Sequence, residues 1–399
     1  VTGQRVPVLA STDFERELER IDTEIAEIAE GALDLPLDTE RATKFVHRLN
    51  ARAALTGDLA ELARVQDAIA AALPHLVNPA DFYYLRAGVH FKLHQLAGVR
   101  ADLEASSVLR RSAQGRALQA DLDFQEGRYS AARSGYESII RDDPTWDGLA
   151  RLAHLEAKLG DVETARRLYA DAEDELTAKE LRQFAWLELQ LGLLDVNAGR
   201  YAAARAHYER SATAYSGHWM SDEHLAELCA AEGKLDEAAE LYLRVVARTS
   251  RPEFQQALGE LYLFMDEPAR AEPWFDAALA TYLASARDGG VHYYHHLADF
   301  YADVREDGAE AVSWARKDIA LRDNFATQAA LAWALYRDSQ NGEAWALMER
   351  ALASGVTDAK LFAQAASIRT ALGDGATAAR YAAKADAINP HHAGFHVHR

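Results

Sequence analysis

Histidines and carboxylates are the residues of this chain whose spacing invites chemistry. The run Val-His-Tyr-Tyr-His-His at 291–296 puts His292 one helical turn from His295 or His296, and His90 and His94 stand four residues apart. Pairs at such spacing bind zinc, nickel or copper when a third ligand converges on them. Asp299 extends the 292–295 face by a further turn, and Glu260 is another carboxylate for the same set. The C-terminal stretch adds His391, His392, His396 and His398, and a flexible tail of this kind holds metal weakly. Helix-surface positions and an unstructured end are the plainer explanation of these residues and need no ion. The sequence therefore assigns no metal and no cofactor, and keeps His292, His295, Asp299 and the four tail histidines as candidate ligands.

Other chemistry is not signalled. There is no glycine-rich phosphate loop, no Gly-x-Ser-x-Gly elbow and no His-Glu-x-x-His. The single cysteine, Cys229, permits neither an internal disulfide nor a cysteine-based zinc site, and its helix position reads as core. The expectation is a protein that is not an enzyme. A formal net charge of -19 repels phosphate backbones, which argues against DNA or RNA and favours a basic partner. No stretch reaches the roughly 18 apolar residues of a membrane span, and Val1 to Ser11 lack the apolar core of a signal peptide. A cytoplasmic location is expected, with export after leader removal left open.

The elements that position these residues are read from a repeat. Gly127, Ala132 and Tyr136 have the same spacing as Gly160, Ala165, Tyr169, as Gly199, Ala204, Tyr208, as Gly233, Ala238, Tyr242, and as Asp266, Ala271, Phe275. The intervals between copies are 33, 39, 34 and 33 residues. A small residue precedes each of the later turns by about seven positions: Ala153, Gly192, Ala226, Gly259 and Ala298. Each unit reads as helix A, a tight turn, helix B and a linker. Glycine suits a left-handed helix terminus, and small residues let paired helices approach closely. Pro74, Pro144 and Pro390 are expected to stop helices B. The two 39-residue intervals read as a longer helix B or linker.

Gly-Arg-Tyr-Ser-Ala-Ala (127–132), Gly-Arg-Tyr-Ala-Ala-Ala (199–204) and Gly-Lys-Leu-Asp-Glu-Ala (233–238) closely resemble the turn of the tetratricopeptide repeat. Ten turns are expected, near 57, 95, 127, 160, 199, 233, 266, 305, 338 and 373, those at Arg305 and Asp338 carrying one extra residue before Ala311 and Ala344. The fold class is all-α, a right-handed solenoid of about ten hairpins over residues 42–390. A segment 1–41 precedes it, with a capping helix whose apolar face is Phe14, Leu18, Ile21, Ile25 and Ile28, and a His-rich tail 391–399 comes after it.

The resemblance implies a concave face lined by helices A, and a scaffold or adaptor that binds protein or peptide there. Mapped onto this sequence, the inner positions of three central units hold Glu223 and Glu227, then Glu253, Gln256, Glu260 and Phe264, then His292, His295, Asp299 and Asp303. That wall is acidic, and would suit a basic or amphipathic segment. Asp299, Glu260 and Glu227 stand where the family's clamp for chaperone C-termini needs asparagine or a base, so such tails are not expected partners. Phe82, Leu85 and Val89, and later Phe325, Leu335 and Tyr336, either hold apolar side chains of a peptide or simply pack. A metal or small-ligand protein is the alternative reading.

Overall fold

The structure is a computed structural model that describes residues 11–395. Helix α1 (Asp13–Ala29) opens on the capping box formed by Thr12 and Glu15. Then come α2 (Thr39–Thr56) with α3 (Leu59–Ala72), α4 (Ala80–Lys92) with α5 (Leu96–Ala105), the short α6 (Ser107–Arg111), and α7 (Ala113–Gln125) with α8 (Tyr129–Asp142). The array continues with α9 (Trp146–Leu159) and α10 (Val162–Asp174), α11 (Leu181–Asn197) and α12 (Tyr201–Ala214), α13 (Trp219–Ala231) and α14 (Leu235–Arg248), and α15 (Pro252–Phe264) and α16 (Pro268–Arg287). It ends with α17 (Tyr294–Asp299) and α18 (Gly308–Leu321), α19 (Phe325–Arg337) and α20 (Asn341–Ala353), and α21 (Ala359–Ala371) and α22 (Gly375–Ile388). These are ten antiparallel hairpins, with no strand among the described residues. One long interval is the 20-residue α16, and the other is a linker after α10.

Each hairpin turns on one residue with positive φ: Gly57, His94, Gly127, Gly160, Gly199, Gly233, Asp266, Glu306, Ser339 and Gly373. In each unit a buried residue of helix B lies five positions on. Two expected turns are thereby corrected. The left-handed residues are Glu306 and Ser339 rather than Arg305 and Asp338, so no extra residue precedes Ala311 or Ala344. A surplus residue does exist in the eighth unit, inside helix A. A π-turn at Phe300–Val304 absorbs it, which is the usual way a helix accommodates an insertion.

The repeated aromatic fills the space between paired helices. Tyr136, Tyr169, Tyr208, Tyr242 and Phe275 are all buried. A Cβ on Gly192 would lie 2.2 Å from Tyr208 and one on Gly259 2.6 Å from Phe275, so these glycines are what allow the rings to lie flat on helix A.

Successive coils of the solenoid touch. The turn of one unit rests on the start of helix A six units later. Asn324 Nδ2 donates to the Gln125 carbonyl (2.9 Å), the Phe325 amide to the Tyr129 hydroxyl (2.8 Å), and the Thr357 amide to the Leu159 carbonyl (3.1 Å). At the N-terminal end Trp219 Nε1 donates to the Leu55 carbonyl, and α1 joins the same seam through Asp13 and Ser216. A Cβ on Gly57, Gly127, Gly160 or Gly199 would meet residues of the following coil, whereas Gly233 and Gly373 face open space. The first coil's turn row is covered, and the second coil's is largely bare.

Candidate functional site

Helices A of neighbouring units touch, as the inner row of a curved stack must: α11 meets α13, α17 meets α19, and α19 meets α21. The inner-row acids are tied into the protein. Glu223 and Glu227 are buried on α13, Glu223 within 2.8 Å of His224 Nδ1. Burial pushes the Glu253 carboxyl up, but Arg251 at 2.7 Å and His296 at 3.8 Å outweigh it and hold the pKa at about 2. Glu260 accepts from Gln256 Nε2 (2.8 Å), while Gln256 Oε1 accepts from Tyr282 (2.9 Å). Asp303 accepts from Trp333 Nε1 (2.9 Å). Asp299 is half-buried on α17. The wall is thus more neutralised than a bare count of acids implies. Phe264 is 54% exposed and Leu263 47%, at the turn before Asp266.

Phe82, Leu85 and Val89 belong to the core of the first hairpins and Leu335 to that of the ninth unit. The turn of the second unit is His94, one residue earlier than expected, which moves the inner positions to other side chains. The same position count places His154 and Lys158 of α9, and Lys92 of α4, on the inner row. Desolvation holds His154 down at about 3 and lowers both lysines, although Lys158 is exposed to water. These positions were legible in the sequence, but only by carrying the count upstream of the central units.

The histidines regroup. His90 does not act with His94. Its Nδ1 lies 3.1 Å from the buried Asp102, which also takes Arg86. His94, on the seam, meets His292 and His295 instead, with ring centroids 4.7 and 5.4 Å away. The His295 and His296 rings lie tilted to each other, with centroids 3.9 Å apart. Ligand atoms of His94, His295 and Asp318 lie within 4.8 Å of one another, and Asp299 is not in that group. His391 rests on Tyr201 (5.2 Å), His392 lies 3.1 Å from Asp386, and Phe395 is buried against Phe264 (5.6 Å). The stretch to Phe395 is therefore packed rather than unstructured. His396 and His398 lie outside the described residues. Cys229 is fully buried, as its helix position implied.

The helix-turn-helix unit, its left-handed turn and its buried aromatic now stand together. The repeat is of the tetratricopeptide type. No protein-family model matches the chain, and no curated relative matches it. Among solved structures it is similar to the Cut9–Hcn1 hetero-tetramer of the APC/C, at 15% identity and a TM-score of 0.45 over 94% of this chain and 79% of that one. It is also similar to yeast Tom70, at 11% identity and a TM-score of 0.43 over 94% and 92%. A third is a tetratricopeptide repeat protein from Parabacteroides merdae, at 19% identity and a TM-score of 0.38 over 61% and 93%. At such identities the likeness is one of helical-repeat architecture. No described helix is long and apolar enough to cross a membrane.

Proposed function

We propose that this tetratricopeptide-type solenoid is a non-enzymatic protein-binding scaffold. Its partner lies along the inner helices and bare turns of the second coil. An apolar side chain of the partner sits on Leu263 and Phe264, and a basic flank faces Glu260. The observation that carries this reading is Phe395, which already seats on Phe264 from within the same chain. The sequence continues past Phe395 as His-Val-His-Arg, a basic run of the kind proposed for the partner. The row of turns beneath α19 and α21 is covered by protein, so a second protein surface on the remaining turns completes the same arrangement. The half-neutralised wall gives the site specificity for charge more than raw affinity.

The test is affinity capture with the full chain, identification of the retained proteins, and repetition with two variants. Phe264→Glu should abolish retention of the specific partner. Glu240→Lys, on the outer helix α14, should leave it intact. Raising salt from 0.05 to about 0.5 M should weaken the complex, because the screening length shrinks several-fold. Equal capture by all three proteins would refute the site.

A further inference from the structure

Of the ten hairpin turns, six place glycine at the left-handed residue, and the second places His94 there, at a φ of 58°. A histidine in that conformation is strained relative to glycine, and such residues persist where the surroundings hold them. What surrounds His94 is the following coil. His295 comes from α17, Asp318 from α18, and His292 from the residues that precede α17. Segments about 200 residues apart in sequence thus converge on one point of the seam, with their ligand atoms within 4.8 Å of one another for His94, His295 and Asp318. Among the described residues that is the one such group of three.

The nitrogens are chemically ready. Nδ1 of His94, of His292 and of His295 is buried without a hydrogen-bond partner. An imidazole nitrogen left dry and unbonded costs free energy that a ligand would recover. Asp318 is buried and anchored by Arg322, whose Nε and Nη2 lie 3.1 and 3.2 Å from its two oxygens. Each carboxylate oxygen keeps a second lone pair. An arginine that orients a ligating carboxylate is a common outer partner of metal sites, though its charge disfavours hard cations held by charge alone.

We propose that His94, His295 and Asp318 form a zinc-type site that clasps the two coils of the solenoid together, with His292 placed to complete the set. Two or three imidazoles and one carboxylate suit zinc, and its neighbours nickel and copper, rather than calcium or magnesium. Zinc ligands sit about 2.0–2.2 Å from the ion, hence roughly 3.3 Å from one another, so binding draws the ligand atoms together by about an ångström. The closing motion is a tightening of the seam between coils. A bound ion therefore fixes how one coil sits on the other. It stabilises the folded chain in proportion to its affinity. This inference does not rest on the scaffold reading and survives its failure.

The test uses the full chain with His391, His392, His396 and His398 replaced by alanine, which removes competing tail sites. After chelator treatment, zinc is titrated against a chromophoric chelator. One zinc per chain is expected, accompanied by a rise in Tm, and cobalt should give the visible absorption of a four-coordinate nitrogen and oxygen site. His94→Gly is the decisive variant. It relieves the positive-φ strain, so the metal-free protein should unfold at the same temperature or higher. Its zinc affinity should fall by at least about 100-fold, and the zinc-induced rise in Tm should vanish. His295→Ala should behave likewise toward zinc. Loss of all zinc binding on replacing the tail histidines would overturn the proposal. So would undiminished binding by His94→Gly.

Discussion

A single glycine can report which side of the seam it occupies. Gly160 and Gly233 hold equivalent turn positions, with φ of 90° and 79°. Alanine at Gly233 meets open space and suffers only the left-handed backbone, so it should cost about 1–2 kcal/mol. Alanine at Gly160 would also place its Cβ 2.0 Å from Thr357 Oγ1 and 2.4 Å from the Thr357 carbonyl oxygen. The seam must then part, and the cost should exceed that of Gly233→Ala by roughly 1–3 kcal/mol. Urea unfolding of the two variants measures the difference. Equal costs would mean the coils do not touch at that turn. Which residues take the left-handed position was readable wherever the residue is glycine. It was not readable at Glu306 and Ser339, because nothing in their chemistry marks a left-handed turn. Only the constant five-residue step to the core alanine identifies them.

At the scale of the element, the hairpin depends on a small residue facing an aromatic. Gly192→Ala drives a methyl into the Tyr208 ring and Gly259→Ala into Phe275. Each should destabilise by about 1–3 kcal/mol, despite the better helix propensity of alanine. A variant that also truncates the ring, Gly259→Ala with Phe275→Leu, should recover part of the loss in the same unfolding experiment. An unchanged midpoint for Gly259→Ala alone would mean that the ring has room to move. The pairing of these positions was legible because both recur at the repeat period. The π-turn was not. Its surplus residue lies inside helix A, where the apolar pattern shows only a slipped phase. The slip is what keeps His292 and His295 in step with the inner row while the turn falls at Glu306.

For the whole molecule, acid is the informative variable. His94 is held at a pKa of about 2, His154 at about 3, and His218, His292 and His296 at about 4, in each case chiefly by desolvation. All five titrate lower in the folded chain than the ordinary 6.5. The unfolded chain therefore binds more protons between about pH 4 and 6.5, and stability rises with pH across that window. The contribution is complete above it and lost as pH falls through it. Glu253, depressed to about 2, adds a loss of the same sign from about pH 4.5 downward. Tm should drop steeply from pH 6.5 to 4.5, with about five protons taken up on unfolding near pH 5. Replacing His154 and His218 with glutamine should flatten the curve, and a flat curve in the wild type would show these rings to be well hydrated.

The convergence of His94 with His292 and His295 belongs to this largest scale too, and so was hidden. Spacing along the chain identifies neighbours on one helix or in adjacent units. The contact between coils is decided by how many units complete a turn, a property summed over small rotations that no local pattern carries. The partners of the inner-wall acids were likewise hidden, since Arg251 and Trp333 reach them by packing rather than by register.

The seam also bears on how such a gene can change. In an open array, duplicating or losing one hairpin by unequal recombination lengthens or shortens the protein and disturbs only the junction. Here an added hairpin anywhere between Leu159 and Asn324 would shift the later units against the earlier ones, so that Gln125 would no longer find Asn324, nor Leu159 find Thr357. The number of repeats is thereby constrained by fit, and copy-number drift should be confined to the C-terminal end, beyond the last residue that rests on an earlier coil.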